Sequence, residues 1–307
     1  MSNSGTEVSH HPQYYFDDGS HVFRVENTLY KLSRTNLSRH SHVFADMFGA
    51  GKTQSGSEGT AAVVAGSNTE GASDDQPILL PDLSASTFDL FLEHHFGYPR
   101  LQSRYTKEEL ARFIAFCDKY HCPQTKAFVV HRLQAASWRF HPAELIQLAV
   151  TYNAPGLFHL AFKELMDISV TQLSKLHRAM MGIEVFTAFV LAKTVLDDHC
   201  RIIAAEEPRI MTHAEDCQDP AACEEDWHAV WWNGMGRFLL DGRNPQPYGE
   251  AVKRFKEMHF GRVGEGCKDS MFRFIGQGTA FEFAEHFVNE LCDHLVRQLL
   301  FEPSSPM

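Results

Sequence analysis

YYFDDGSHVFRVENTLYKLSRTNLSRHSHVFADMF, residues 14–48, is the stretch whose reading decides the fold. It reads as an aromatic strand, a turn, a second strand and then two short helices. Asp17-Asp18-Gly19 supplies the turn, an acidic pair followed by a residue that tolerates positive φ. Val22, Phe23 and Val25 are the β-branched and aromatic types that a half-buried strand prefers. Ser41 is placed to cap a helix over 41–48, in which Val43, Phe44, Met47 and Phe48 fall on one side, with Leu37 just before them.

Outward from this stretch, residues 1–13 are polar and read as a disordered tail. Residues 49–76 are rich in Gly, Ser, Thr and Ala, too poor in large side chains to offset their ordering entropy, and read as a flexible loop inside a domain. Ile78, Leu79 and Leu80 then read as a short buried strand ended by Pro81-Asp82. Ser84 is an N-cap for a helix with Phe88, Phe91 and Leu92 on one face. Thr106 with Glu109 is a capping box, opening a helix with Leu110, Phe113, Ile114 and Cys117 at helical spacing. Pro123 suits the first turn of the next helix.

Residues 114–137 line up without gaps with residues 146–169. Ile114 matches Ile146, Tyr120 matches Tyr152, Pro123 matches Pro155, Leu133 matches Leu165 and Ser137 matches Ser169. Both copies read as helix, proline-marked turn, helix. With no third copy, two stacked helical hairpins are expected rather than a solenoid. Further on, Phe186, Phe189 and Val190 share a face, and a loop follows over 206–220. Helical patterns return at Trp227, Val230, Trp231 and Phe238, around Phe255, at Cys267, Met271, Phe274 and Ile275, and along Ala284, Phe287, Val288, Leu291, Leu295 and Leu299. Strands are expected only before residue 81, so the fold class is α+β at the front and all-α behind.

The 307 residues are 44% hydrophobic, enough for a substantial core, and carry a formal net charge of −11. Such an acidic balance argues against a nucleic-acid partner, which needs clustered cations. No apolar run approaches the ~20 residues of a membrane span, so no membrane partner is expected. The first residues lack the apolar core of a secretory signal. Seven widely spread cysteines fit reduced thiols in an intracellular protein, cytoplasmic or nuclear.

HVFRVENTLYKLSRTNL, SHVFADMF, ILLPDLSASTFDLFLEHHF and the helical pair over 110–133 together resemble a BTB/POZ domain covering residues 14–136. The acidic-Gly turn, the degenerate central loop and the tryptophan-bearing tail are most similar to the expanded fungal branch of that family. Residues 141–169 resemble the start of a BACK-type extension, within a helical C-terminal domain over 141–301. The resemblance implies a small sheet flanked by helices, a non-catalytic protein–protein interaction function and homodimerisation. It places the interaction face at Tyr15, Leu29, Tyr30, Leu32, Arg34, Leu37, Val43, Phe44 and Met47. Where many members carry an acidic residue and a basic pair, this chain has Ser20 and Ser33-Arg34. A cullin partner, in a ubiquitin-ligase adaptor role, is an alternative. The apolar-x-Glu element of cullin-binding relatives is missing where Met47-Phe48 runs into Gly49-Ala50-Gly51.

Gly49-Ala50-Gly51-Lys52-Thr53 looks like the end of a phosphate-binding loop, but Asp46 stands where the first glycine belongs and a helix precedes it. His213, Cys217, Cys223 and His228, with Cys267 further on, could supply nitrogen and sulfur to zinc. Their spacing lacks a CxxC pair, so separate thiols are expected, with a helical zinc-binding structural protein as the other alternative. Among the 18 histidines none adjoins a nucleophile with an orienting acid. His94-His95 would sit as a favourable cation at a helix C-terminus. Trp227 and Trp231 are expected in a core and Trp232 off it. The expectation is therefore no catalytic residue, no cofactor, no metal, and an unidentified protein partner.

Overall fold

The computed structural model describes residues 7–50, 70–97, 105–210, 212–241, 248–277 and 283–301. The fold is mixed α+β, with a small four-stranded sheet and, among the described residues, many helices. The chain divides into two compact units, one of Met1–His141 with Thr151–Leu157 and the other of Pro142–Val150 with Phe158–Met307. The boundary is thus interleaved, where the sequence suggested a single cut near residue 140.

The first unit holds strands β1 (Ser9–Tyr15), β2 (His21–Val25), β3 (Thr28–Leu32) and β4 (Ile78–Leu79) in the order β1-β3-β2-β4. β2 and β3 form an antiparallel hairpin, with Val25 opposite Thr28 across a Glu26-Asn27 turn. Glu26 takes a positive φ of 53° there. This corrects the sequence reading in two ways. The tight hairpin is the Glu-Asn turn, while Asp17-Asp18-Gly19 leads from β1 into β2 without pairing them, because β1 pairs parallel to β3. Residues 9–13, expected to be disordered, belong to β1. The β1–β3 register slips between His10 and Tyr15, a break that accommodates Pro12, which has no N–H to give a ladder.

Helices α1 (Arg34–His40) and α2 (His42–Ala50) follow β3. Ser41 stands between them as the sequence requires: its Oγ accepts from the Phe44 amide at 3.1 Å and donates to the Tyr120 carbonyl at 2.6 Å. Residues 51–69, with Lys52 and Thr53 of the apparent phosphate loop, lie outside the described residues. The far end of the expected loop is anchored. Gly71 accepts from the Val22 amide at 2.9 Å, and Asp74 accepts from the Tyr15 hydroxyl at 2.6 Å.

β4 leads to α3 (Ala85–Phe96), capped by Ser84, and then to α4 (Lys107–Lys119) behind the Thr106–Glu109 capping box. α5 (Pro123–Ala135) completes the first helical hairpin. Phe23, Tyr30, Phe44, Phe88, Phe91 and Phe113 are fully buried and form the unit's aromatic core. The second hairpin, α6 (Pro142–Thr151) and α7 (Pro155–Met166), repeats the pattern. The repeat extends to the backbone: His121 and Asn153, two residues before Pro123 and Pro155, both adopt φ of 46°.

The second unit continues with α8 (Lys175–Ala205), bent at Gly182 where φ is 76°. By length and composition alone α8 is long and apolar enough to cross a membrane, where the sequence showed no uninterrupted apolar run of about 20 residues. α9 (Pro220–Trp231) runs through a π-helical turn, Trp232–Gly236, into α10 (Arg237–Leu240). α11 (Tyr248–Lys256), α12 (Glu265–Gln277) and α13 (Phe283–Val296) follow, and α13 runs into a π-helical turn, Arg297–Phe301. Trp227, Trp231, Phe255 and Phe260 are buried together, with Cys223, Cys267 and Met271 in the same cluster. Each tryptophan N–H has a carbonyl partner, Pro208 for Trp227 at 2.8 Å and Ala204 for Trp231 at 3.1 Å. Trp232 is half in solvent, as its place off the stripe implies, whereas Phe274 is exposed although the spacing put it with Cys267.

Candidate functional site

Three segments of the second unit converge at the rim of this aromatic cluster. The first is the turn over 212–219, where the Cys217 amide donates to the Ala214 carbonyl at 3.0 Å. The second is the start of α9: Asp219 caps it by accepting from the Ala222 amide at 3.1 Å, Pro220 fills the first turn, and Cys223 follows on the inner face. The third is the start of α12, which carries Cys267. Asp216 joins the first segment to the third by accepting from the Gly266 amide at 3.2 Å. Gly266 is needed for that approach, since a Cβ there would lie 2.7 Å from the Ala214 side chain.

One ligating atom each from His213, Cys217, Cys223 and Cys267 falls in a cluster whose members all lie within 4.8 Å of one another. His213 Nδ1 is 3.4 Å from Cys217 Sγ and 3.8 Å from Cys267 Sγ. On the other side of the ring, Nε2 is 3.2 Å from Glu224 Oε1. An ionised carboxylate only accepts, so the proton sits on Nε2, and in the neutral ring the Nδ1 lone pair faces the sulfurs. The Ala214 amide donates to Cys267 Sγ at 3.2 Å. Backbone amides of Asp219 and Gly264 act in the same way on Cys217 and Cys223.

Electrostatics here pull in two directions. Burial pushes the Cys223 thiol up to about 12 and also raises that of Cys217. Burial acts on Cys267 too, but the Ala214 amide, His213 and the two neighbouring sulfurs outweigh it and bring that thiol below its ordinary value. His213 is raised by its contacts with Cys267 and Glu224. Cys223 and Cys267 are buried and His213 and Cys217 partly exposed, so the cluster has one side toward solvent. No pair of cysteines is joined in a disulfide.

Of the five candidates named from the sequence, His213, Cys217, Cys223 and Cys267 are brought together, where separate thiols were expected. The missing signal was a short CxxC spacing: here the donors are supplied by a turn and two helix starts, one of them far along the chain. His228 does not take part. It lies on α9 beyond Cys223 and pairs through Nδ1 with Glu207.

In the first unit, the residues proposed for an interaction face separate into two groups. Leu29, Tyr30, Leu32, Leu37 and Phe44 are buried in the unit's own core, so their side chains hold this fold together and do not form its surface. Tyr15, Arg34, Val43 and Met47 are partly exposed. Among the described residues Arg34 finds no acidic group in place of the one the sequence lacks; its guanidinium donates to the Phe48 carbonyl and lies over the Phe48 ring, 5.3 Å from the centroid. Asp17, a suggested substitute, instead offers its carbonyl to Lys31 Nζ at 2.9 Å.

His94 and His95 do not behave as a cationic helix terminus. Burial, followed by the like charge of His40 and His94, lowers His95 to about 3, and burial likewise lowers His94. Desolvation therefore overrides the dipole at the end of α3. The chain matches no protein-family model and no curated protein.

Proposed function

We propose that this chain is a non-catalytic protein-interaction module that self-associates, with a first unit of BTB/POZ type and a helical second unit. The observation that carries the reading is the order of elements in the first unit. A β2–β3 hairpin is followed by two short helices, a returning strand parallel to β2, a helix and a helical hairpin, the sequence of elements that the resemblance implies. Ser41, Ser84 and Thr106, read from the sequence as caps, cap the helices that follow them.

The contact surface consists of side chains that the core leaves partly free: Tyr15, Arg34, Val43 and Met47. Binding works by burying this apolar surface against a second copy, on the order of 2,000 Å² for a stable homodimer. The cysteines, all free, support residence in a reducing compartment.

Light scattering on the full chain tests the reading. A dimer is expected at micromolar concentration, with Val43→Asp and Met47→Arg shifting it toward monomer while leaving the circular dichroism spectrum unchanged. A wild-type chain that stays monomeric up to about a hundred micromolar removes self-association.

A further inference from the structure

We propose that His213, Cys217, Cys223 and Cys267 bind one Zn²⁺ in a closed tetrahedral site that fastens the 212–219 turn and the starts of α9 and α12 together.

The geometry carries it. With metal–sulfur bonds of about 2.3 Å and metal–nitrogen bonds of about 2.0–2.1 Å, a regular tetrahedron has nitrogen–sulfur edges of about 3.6 Å. The two observed His213 Nδ1–sulfur separations, 3.4 and 3.8 Å, lie on either side of that edge. The three sulfurs and the imidazole nitrogen lie within 4.8 Å of one another, and none of the cysteines is joined in a disulfide. The donor set of three thiolates and one imidazole suits zinc, and four protein ligands leave no open position, which marks a structural rather than a catalytic site.

The surroundings are those that such a site requires. Glu224 fixes the ring of His213 from behind, the carboxylate–imidazole arrangement that orients a metal-binding histidine. The Ala214 amide points at Cys267 Sγ. Cys223 and Cys267 lie near the starts of α9 and α12, where the helix dipole favours negative sulfur. Arg262 holds the approach to α12 from outside, with its backbone amide and side chain both donating to Asp226 of α9. The ligands span 54 residues of chain between His213 and Cys267. A cation at their centre therefore closes a large loop in a unit whose aromatic core begins one helical turn away at Trp227.

The test uses the full chain, purified under reductant without chelator. Elemental analysis is expected to give about one zinc per chain, and Co²⁺ exchanged for it should show intense thiolate-to-cobalt charge transfer with the visible bands of a tetrahedral ion. Cys217→Ser should lower zinc content at least tenfold. His213→Cys, which keeps four soft donors, should retain it, and so should Cys292→Ser and His228→Ala. Chelation of the wild-type chain should lower its thermal midpoint. A folded wild-type chain with less than about a tenth of an equivalent of zinc and no cobalt charge transfer would overturn the site. Stoichiometric iron in place of zinc would overturn the assignment of the metal, and an unchanged midpoint after complete zinc removal would overturn its structural role. Should Cys217→Ser fail to fold, His213→Cys and the cobalt spectrum of the wild-type chain still decide the matter.

Discussion

The imidazole of His40, at the end of α1, stacks on that of His95, near the end of α3, with centroids 3.8 Å apart and planes 26° from parallel. His95 Nε2 also lies 2.9 Å from Thr125 Oγ1, and His94 meets His95 edge-on at 4.7 Å. Arg39 adds like charge beside His40, and Arg132 adds it beside His94. Among the described residues no acidic group offsets these cations in the shifts of the three rings, which all fall below the ordinary histidine value, burial being the largest cause. A histidine whose folded pKa is depressed stabilises the fold above its unfolded pKa of about 6.5. That contribution is lost as pH falls toward the folded value, about 3 for His95.

Acid should accordingly weaken the first unit between about pH 6.5 and 3, taking up protons on unfolding. Discounted for partial exposure, the loss is roughly 2 kcal/mol. Urea midpoints measured across this range for the wild type and His95→Gln check it. The variant should show the flatter acid limb; equal slopes would count against the histidine stack as its cause.

Tyr30 is fully buried, and its hydroxyl donates to Asp89 Oδ1 at 2.9 Å. Burial, followed by the charge of Asp89, pushes the phenol well above its usual range, so it stays neutral. Tyr30→Phe leaves Asp89 half buried with one donor fewer, at a cost of roughly 1.5–3 kcal/mol. Denaturant titration would read this as a lower midpoint at unchanged slope. No change would mean that water replaces the hydroxyl.

Trp231 and Trp232 are adjacent but differ in environment, the first 1% exposed and the second 42%. Trp231→Ala removes a core side chain and its bond to Ala204, and should destabilise the second unit by about 3–5 kcal/mol. Trp232→Ala should cost less than about 0.5 kcal/mol. Thermal unfolding followed in the near ultraviolet separates the two, and comparable losses would contradict the placement of Trp232.

Gly261 has φ of 58°, and a Cβ there would collide with the carboxylate of Asp226. That carboxylate accepts from the Arg262 guanidinium and amide and is held down to about 2 by those hydrogen bonds. Gly261→Ala should cost roughly 1–2 kcal/mol through the left-handed backbone alone and displace Asp226 as well. Hydrogen exchange of the Arg262 amide should quicken; unaltered protection would refute the clash.

Much of the fold was legible because local chemistry and position agreed. Ser41, Ser84 and Thr106 marked helix starts, and Pro123 and Pro155 marked the second helix of each hairpin. The pairing of β1 with β3 was not legible, since a parallel partner is chosen by tertiary contacts such as the Tyr15–Asp74 bond and not by a turn signal. The candidate site was half legible. Residue type flagged His213, Cys217, Cys223 and Cys267, yet only the folding of α12 against α9 selects them over His228. In the proposed face the sequence could list apolar residues but could not say that Tyr30 and Phe44 point inward while Val43 and Met47 reach the surface.

The two outer strands of the sheet have a further consequence. β4 contributes only Ile78 and Leu79, and β1 carries a proline and loses step with its neighbour midway. Among the described residues, neither margin offers an unbroken row of amides and carbonyls for an incoming extended peptide to zip onto. Growth by strand addition, the route to fibrils and to peptide capture by sheet extension, is therefore poorly supported by this fold.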